Sequence, residues 1–274
     1  MKTMSVLGIR MNCLSYAEMY PIFDRWLSER SAGSRSRALA LINVHSCVSG
    51  LLDRRVRDLY NAADLPAIDS MPFLLMARAL HQRDSDRFYA PDLLLQVAKE
   101  APARGWTFYL YGGHEGAPER ISEFLLGKFP ELKIVGTYSP PFRQLSPAED
   151  EEICKRINAA RPHFLWVGLG SPKQDQWIAE HLDRIQGCIL VPSGATFDFF
   201  SGRIRQAPNW IRSLGFEWLF RLTQDFRRLW KRYTLYNAVF LVAFALELIG
   251  LIRFDDGGNL LILGHRTALG NWAD

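Results

Sequence analysis

The sequence predicts an α/β fold: a Rossmann-like, mostly parallel sheet with flanking helices, followed by a helical C-terminal appendage. Short apolar runs lack the alternation of half-exposed strands, which indicates strands buried on both faces. These candidate strands are 38–45, 106–113, 132–138, 163–170 and 188–195. Amphipathic stretches between them predict helices, at 91–105, 117–129, 146–160 and 172–185. The third observation is a change in composition near residue 203.

Composition narrows the class of protein. Hydrophobic residues make up 48% of the 274 residues and charged residues 23%, as in ordinary globular proteins. The net charge of +4 is too modest to indicate a nucleic-acid partner. No two cysteines have the spacing of a zinc knuckle or a redox pair, so we expect unpaired thiols in a reduced compartment. They are Cys13, Cys47, Cys154 and Cys188.

The composition change predicts two domains, a Rossmann-like catalytic domain at 1–202 and an appendage at 203–274. Between 203 and 233 there are eight basic and two acidic residues, with tryptophans among them, and an apolar segment follows at 235–252. Basic and tryptophan residues beside apolar ones are typical of peripheral attachment to an anionic membrane surface. A single membrane-spanning helix is the second interpretation of the apolar segment, because Glu247 would be costly inside a bilayer. Packing of the segment in a soluble core is the third, close to the second.

Two glycine-containing loops follow candidate strands, where ligands of doubly wound folds bind. The first contains Gly112 and Gly113. The second contains Gly168, Gly170, Lys173 and Gln174. Glycines there let a backbone approach a phosphate, and helix amides can face the anion. The alternatives are a tight turn for the first loop and a capped helix start with a solvated lysine for the second.

Asp69 follows a short apolar run and precedes a helical stretch at 72–80. A carboxylate in this place can act as a general base, or it can cap the next helix. Spacing alone favours the cap. No HExxH pattern is present and no acidic pair lies in a suitable loop, so the sequence predicts no metal site.

The motifs at 166–178 and 194–222 make the chain similar to the WecG/TagA/CpsF family of bacterial glycosyltransferases, glycosyltransferase family 26. The similarity runs from about residue 43 to residue 233. It implies a Rossmann-like core that uses a UDP-sugar as donor substrate, with no metal and no other cofactor. It also implies an undecaprenyl-diphosphate-linked glycan acceptor, and an appendage that holds the enzyme peripherally at the cytoplasmic face of the membrane.

The resemblance also implies roles for particular residues. Asp69 takes the place of the family's proposed base, and Asn43 is retained from a Thr-x-Asn pattern whose threonine is replaced by Leu41. Arg87 matches an arginine motif in which Ala90 replaces a glycine. The sequence departs from the family pattern at Ser70, at 139–142 and at Gln206, and the departure at 139–142 suggests a different sugar or acceptor.

The mechanism that we expect is an inverting transfer. The two glycine loops and a third, containing Gly194, Thr196 and Asp198, bind the donor, while Asp69 deprotonates the acceptor hydroxyl. Guanidinium groups of the appendage cover the site or bind the acceptor diphosphate. These are Arg212, Arg221 and Arg228. Rival hypotheses are a nucleotide-dependent oxidoreductase and a non-catalytic membrane-bound scaffold of polysaccharide assembly. The sugar, the glycan and the formation of a homo-oligomer are left open.

Overall fold

In this computed structural model the protein is described over residues 2–31, 33–80, 84–255 and 257–262. The strands are β1 (Lys2–Val6), β2 (Ile9–Cys13), β3 (Arg37–Ile42), β4 (Leu65–Ile68), β5 (Thr107–Gly112), β6 (Lys133–Tyr138), β7 (Phe164–Gly168), β8 (Ile189–Pro192), β9 (Ile252–Phe254) and β10 (Leu260–Ile262). The helices are α1 (Tyr16–Ser28), α2 (Val44–Leu52), α3 (Arg54–Asn61), α4 (Met71–Ala79), α5 (Ala90–Arg104), α6 (Ala117–Lys128), α7 (Pro147–Ala160), α8 (Lys173–His181), α9 (Gly194–Phe200), α10 (Asn209–Ser213), α11 (Glu217–Gln224) and α12 (Phe226–Leu248).

The first eight strands form one sheet in the order β1-β2-β4-β3-β8-β7-β5-β6. The pair β1/β2 is antiparallel, whereas β2/β4, β3/β8, β8/β7, β7/β5 and β5/β6 are parallel. This mostly parallel sheet with helices between its strands confirms the predicted fold class, and all five candidate strands are present. Each parallel strand ends at the edge where ligands of such folds bind.

The expected burial of every candidate strand on both faces is wrong for β6. None of its six residues is fully buried, and Val135 is exposed. The reason is position, since β6 lies at the edge of the sheet and has a neighbour on one side only. By contrast, every residue of β7 and of β8 is buried.

The described residues divide into two compact units. Unit one takes them from Met1–Ser15, Leu41–Arg87 and Ala207–Asp274, and unit two from Tyr16–Ala40 and Phe88–Gln206. Unit two has an aromatic core in which the Phe164 ring lies 5.1–5.7 Å from the rings of Phe23, Trp106 and Phe108. The predicted division into a catalytic domain and a membrane-associated domain near residue 203 stays a prediction.

In unit one, the apolar segment at 235–252 lies mostly in α12, and part of that helix packs inside the unit. Phe240 is buried with its ring 5.7 Å from that of Phe73 in α4, and Tyr236 stacks on His45 at 4.7 Å. The carboxylate of Glu247 accepts a hydrogen bond from the Leu7 amide at 3.0 Å. Burial raises the pKa of Glu247. Within the described ranges, no helix has both the length and the hydropathy to cross a bilayer.

A short segment follows α12 and is described as far as residue 262. Strands β9 and β10 pair antiparallel, so its described part is a hairpin. A Cβ on Gly8, in the β1–β2 turn, would come within 2.5 Å of the Phe254 ring and 2.7 Å of the Gly258 carbonyl oxygen. This close approach explains a glycine at position 8. Residues 263–274 lie outside the described part of the chain.

Candidate active site

Asp69 directly follows strand β4 in unit one. Its amide donates to the Ile42 carbonyl of β3 at 2.8 Å, which continues the contact between the two strands. The next residue, Ser70, is the N-cap of α4. The alternative role of Asp69 as the cap of that helix is therefore wrong, and its carboxylate is left for other contacts at the edge of the sheet.

One carboxylate oxygen of Asp69 is held by Asn43. The Asn43 Nδ2 group donates to Asp69 Oδ2 at 3.0 Å. Asn43 Oδ1 accepts from the Ser46 amide at 3.2 Å as the N-cap of α2, and this contact turns the amide group towards Asp69. The other carboxylate oxygen, Oδ1, is enclosed and has no hydrogen-bond partner among the described residues. Asp69 thus has one anchored and one unengaged oxygen.

Burial raises the pKa of Asp69 to about 6, well above that of an exposed aspartate. The positive charges of Arg87 and Arg221 and the hydrogen bond from Asn43 act in the opposite direction, while the charge of Glu217 raises the pKa further. The carboxylate is consequently ionised at neutral pH and more basic than usual. These are the properties of a general base that works near pH 7.

Arg87 connects three parts of unit one. Its Nε donates to the Asp69 carbonyl at 2.5 Å, and its Nη1 donates to the Arg212 carbonyl at 3.4 Å. Its Nη2 lies 3.5 Å from Glu217 Oε2. Glu217 is a functional candidate that sequence reasoning missed. The only signal was an acidic residue in a strongly basic stretch.

The appendage arginines differ in what they contact. Arg212 Nη2 donates to Asn209 Oδ1, while its carbonyl accepts from Arg87. Arg221, in α11, is close enough for its charge to lower the pKa of Asp69. The backbone of Arg228 belongs to α12, but its side chain lies outside what the structure describes. The structure therefore brings Arg87 and Arg221 near Asp69 and the backbone of Arg212 to Arg87, while a role for the Arg212 and Arg228 side chains stays a prediction.

Close backbone packing accounts for the glycines predicted at the strand ends of unit two. Gly112 and Gly168 are paired across β5 and β7, and Gly112 has a φ of 117°. A Cβ on Gly112 would lie 2.6 Å from the Gly168 carbonyl carbon, and one on Gly168 would lie 2.4 Å from the Phe197 ring. Gly113 has a φ of 74°, and its amide donates to the Gly168 carbonyl at 2.8 Å. Only glycine fits these positions without strain.

Gln174 joins two loops of unit two. Its Oε1 accepts from the Gly170 amide at 3.1 Å and from the Gly194 amide at 2.9 Å. The side chain is buried, and a Cβ on Gly194 would lie 2.6 Å from that oxygen. Both amides already donate to Gln174, so they are not the free donors that were expected to contact a phosphate.

The other predicted donor residues lie in the same unit. Lys173 is exposed, and its Nζ is 5.4 Å from the ring centroid of Phe142. Thr196 is fully buried, and its Oγ1 has no hydrogen-bond partner in the described part of the chain. Asp198 pairs with Arg203 at 3.4 Å. Tyr111 is a second buried hydroxyl without a described partner, and it was not predicted.

One group of potential metal ligands lies elsewhere in unit two. The ligand atoms of Asp150, Cys154 and His181 are within 4.8 Å of one another. His181 Nε2 is 3.1 Å from Asp150 Oδ1, and the Arg184 guanidinium bonds the same carboxylate. The Arg184 guanidinium thus already provides a positive charge beside the carboxylate of this group. These contacts connect α7 with α8 and with Arg184, which follows α8 in the chain.

Comparison with known proteins agrees with the motif resemblance. The model of the glycosyl transferase WecG/TagA/CpsF family matches residues 4–253, nearly the whole chain. An N-acetylglucosaminyldiphosphoundecaprenol N-acetyl-beta-D-mannosaminyltransferase of Bacillus subtilis (strain 168) is 25% identical over 194 residues, which cover 71% of this chain and 73% of the relative. A protein of the same name from Staphylococcus aureus (strain MW2) is 25% identical over 172 residues, covering 63% and 66%.

Proposed function

Because the chain belongs to the glycosyl transferase WecG/TagA/CpsF family, we propose that it is an inverting enzyme that needs no metal and transfers a sugar from a UDP-sugar to a polyprenyl-diphosphate-linked saccharide. The names of the relatives support the acceptor class, since both act on N-acetylglucosaminyldiphosphoundecaprenol. They also make N-acetylmannosamine the first sugar to test.

The observation that carries the proposal is the state of the Asp69 carboxylate. Asn43 holds Oδ2, while the enclosed Oδ1 has no partner in the described residues and can accept a proton. In the reaction, the acceptor hydroxyl oxygen attacks the anomeric carbon as its proton moves to Asp69. The bond from that carbon to UDP breaks, and UDP leaves with the electron pair. One displacement inverts the anomeric configuration.

Cationic groups near the base support a role for the appendage in binding diphosphate. The charges of Arg87 and Arg221 act on Asp69, the Arg212 carbonyl accepts from Arg87, and guanidinium groups match phosphate oxygens well. For the donor, unit two provides Lys173 and the buried hydroxyl of Thr196. A cationic group beside the departing diphosphate would stabilise the charge that develops on it.

Attachment to the cytoplasmic face of an anionic membrane is the matching proposal for the appendage, residues 203–274. Large apolar side chains on α10 to α12 and their connections are exposed, among them Trp210 and Phe226. Basic residues such as Arg227 are exposed beside them. Apolar groups that enter the interface and arginines that meet anionic headgroups are typical of peripheral binding. A lipid-linked acceptor would be reached at the same surface.

The test is a UDP-release screen over donor sugars, starting with UDP-N-acetylmannosamine, with a short-chain polyprenyl-diphosphate N-acetylglucosamine as acceptor. Asp69→Asn should lower kcat by about 10²–10⁴-fold, because the amide cannot take the proton. UDP binding, measured by calorimetry, should stay unchanged. The matched control is Asp58→Asn, at an exposed position of α3, which should keep wild-type turnover. If Asp69→Asn turned over within twofold of the wild type, the assignment of the base would be wrong.

A further inference from the structure

Glu217, the first residue of α11, is a buried carboxylate that the mechanism above does not use. Only 7% of its surface is exposed. Burying a carboxylate is costly unless an opposite charge or hydrogen bonds compensate it. At the start of a helix the backbone dipole gives part of this compensation. Arg87 Nη2, 3.5 Å from Glu217 Oε2, gives another part.

The same guanidinium connects Glu217 to the residue proposed as the base. Arg87 Nε donates to the backbone carbonyl of Asp69 at 2.5 Å, so the position of the arginine and that of the Asp69 backbone are linked. The Arg87 side chain is itself mostly buried, with 19% of its surface exposed. A shift of Glu217 would therefore be transmitted through Arg87 to Asp69.

The charges around Asp69 come from three segments of unit one. Asn43, before α2, provides a neutral hydrogen bond, and Arg87, before α5, provides a positive charge. From α11 come the positive charge of Arg221 and the negative charge of Glu217. Glu217 is thus the anionic group that opposes two arginines at this carboxylate.

We propose that Glu217 is a positioning residue of the transferase, which holds Arg87 against the backbone of Asp69 and offsets the positive charge that the arginines impose on its carboxylate. This inference rests on the proposed function of Asp69 as the base. A base whose proton affinity is lowered by two unopposed arginines accepts the hydroxyl proton less well. The first turn of α11 then contributes to the reaction without touching either substrate.

The experiment compares pH profiles of kcat/KM, using the donor and acceptor identified in the UDP-release screen. In the wild type the acidic limb should lie near pH 6, where Asp69 becomes protonated. In Glu217→Gln the limb should move to lower pH, by roughly a twofold or larger change in the apparent acid constant, and the plateau should fall. Glu217→Asp retains the charge, so its limb should stay at the wild-type position even if its plateau falls.

A merely structural role would lower the plateau of Glu217→Gln and leave the limb unmoved, and that result overturns the proposal. If Glu217→Gln does not fold, Arg87→Gln gives the opposite test, because loss of a positive charge should move the limb to higher pH. An unmoved or lower limb in Arg87→Gln overturns the proposal as well. Normal turnover of Asp69→Asn would instead refute the base itself, so the two failures are distinguishable.

Discussion

The two hydrogen bonds of Gln174 give the sharpest prediction about stability. Gln174→Met retains the length of the side chain and removes the oxygen that accepts from Gly170 and Gly194. A net hydrogen bond contributes about 1 kcal/mol, and a buried amide left without an acceptor costs about 1–3 kcal/mol. Both bonds are partly buried, so water can replace part of the loss. We therefore expect the free energy of unfolding to fall by roughly 2 kcal/mol.

Urea denaturation followed by tryptophan fluorescence measures this change, with the midpoint and the slope fitted separately. Gln176→Met is the matched control, because Gln176 lies on the same helix with its side chain exposed. The control should change the free energy of unfolding by less than about 0.5 kcal/mol. A Gln174→Met variant as stable as this control would show that the oxygen does not hold the two loops together.

Three further predictions concern packing, pH and the membrane. Gly168→Ala should lower the free energy of unfolding by about 1–3 kcal/mol, because its Cβ would lie 2.4 Å from the Phe197 ring. Gly127 has open space around it, so Gly127→Ala is the control and should not lower the free energy of unfolding in the same thermal-unfolding measurement. Burial raises the pKa of Glu247, so the wild type loses stability as pH rises through that pKa and the carboxyl group ionises. In urea titrations the free energy of unfolding of Glu247→Gln should therefore exceed that of the wild type at pH 8 and not at pH 4. Trp210→Ala should weaken cosedimentation with vesicles that contain anionic lipid several-fold; equal binding would contradict attachment through that side chain.

The parallel core was predictable because burial on both faces leaves long apolar runs in the sequence. The antiparallel strand β1 has alternating exposed and buried residues before β2, a weak signal over only five residues, and it was not predicted. The apolar segment at 235–252 was ambiguous for a physical reason, since a helix core and a membrane interface both select apolar side chains. The contact between Glu247 and Leu7, 240 residues apart, is one of those that join the helix to the rest of unit one, and no local pattern reveals it.

For the candidate site, the resemblance named Asn43, Asp69 and Arg87, and the structure brings the three together. Spacing alone favoured Asp69 as the N-cap of the next helix. The sequence does not reveal which of the two adjacent polar residues, Asp69 or Ser70, is that N-cap. Glu217 was missed because its partner, Arg87, is distant in the sequence, and a carboxylate among arginines is more often solvated. Its burial, which only the fold determines, distinguishes it from such a residue.

The glycine loops show how one pattern can have two physical causes. A glycine that permits a phosphate to approach and a glycine that permits two backbones to pack look the same in a sequence. At Gly112 and Gly168 the packing alone excludes a side chain, and at Gly170 and Gly194 the amides already donate to Gln174. Substituting these glycines would therefore damage the fold whether or not a donor binds. A test of donor binding should instead change Thr196, whose buried hydroxyl has no partner among the described residues.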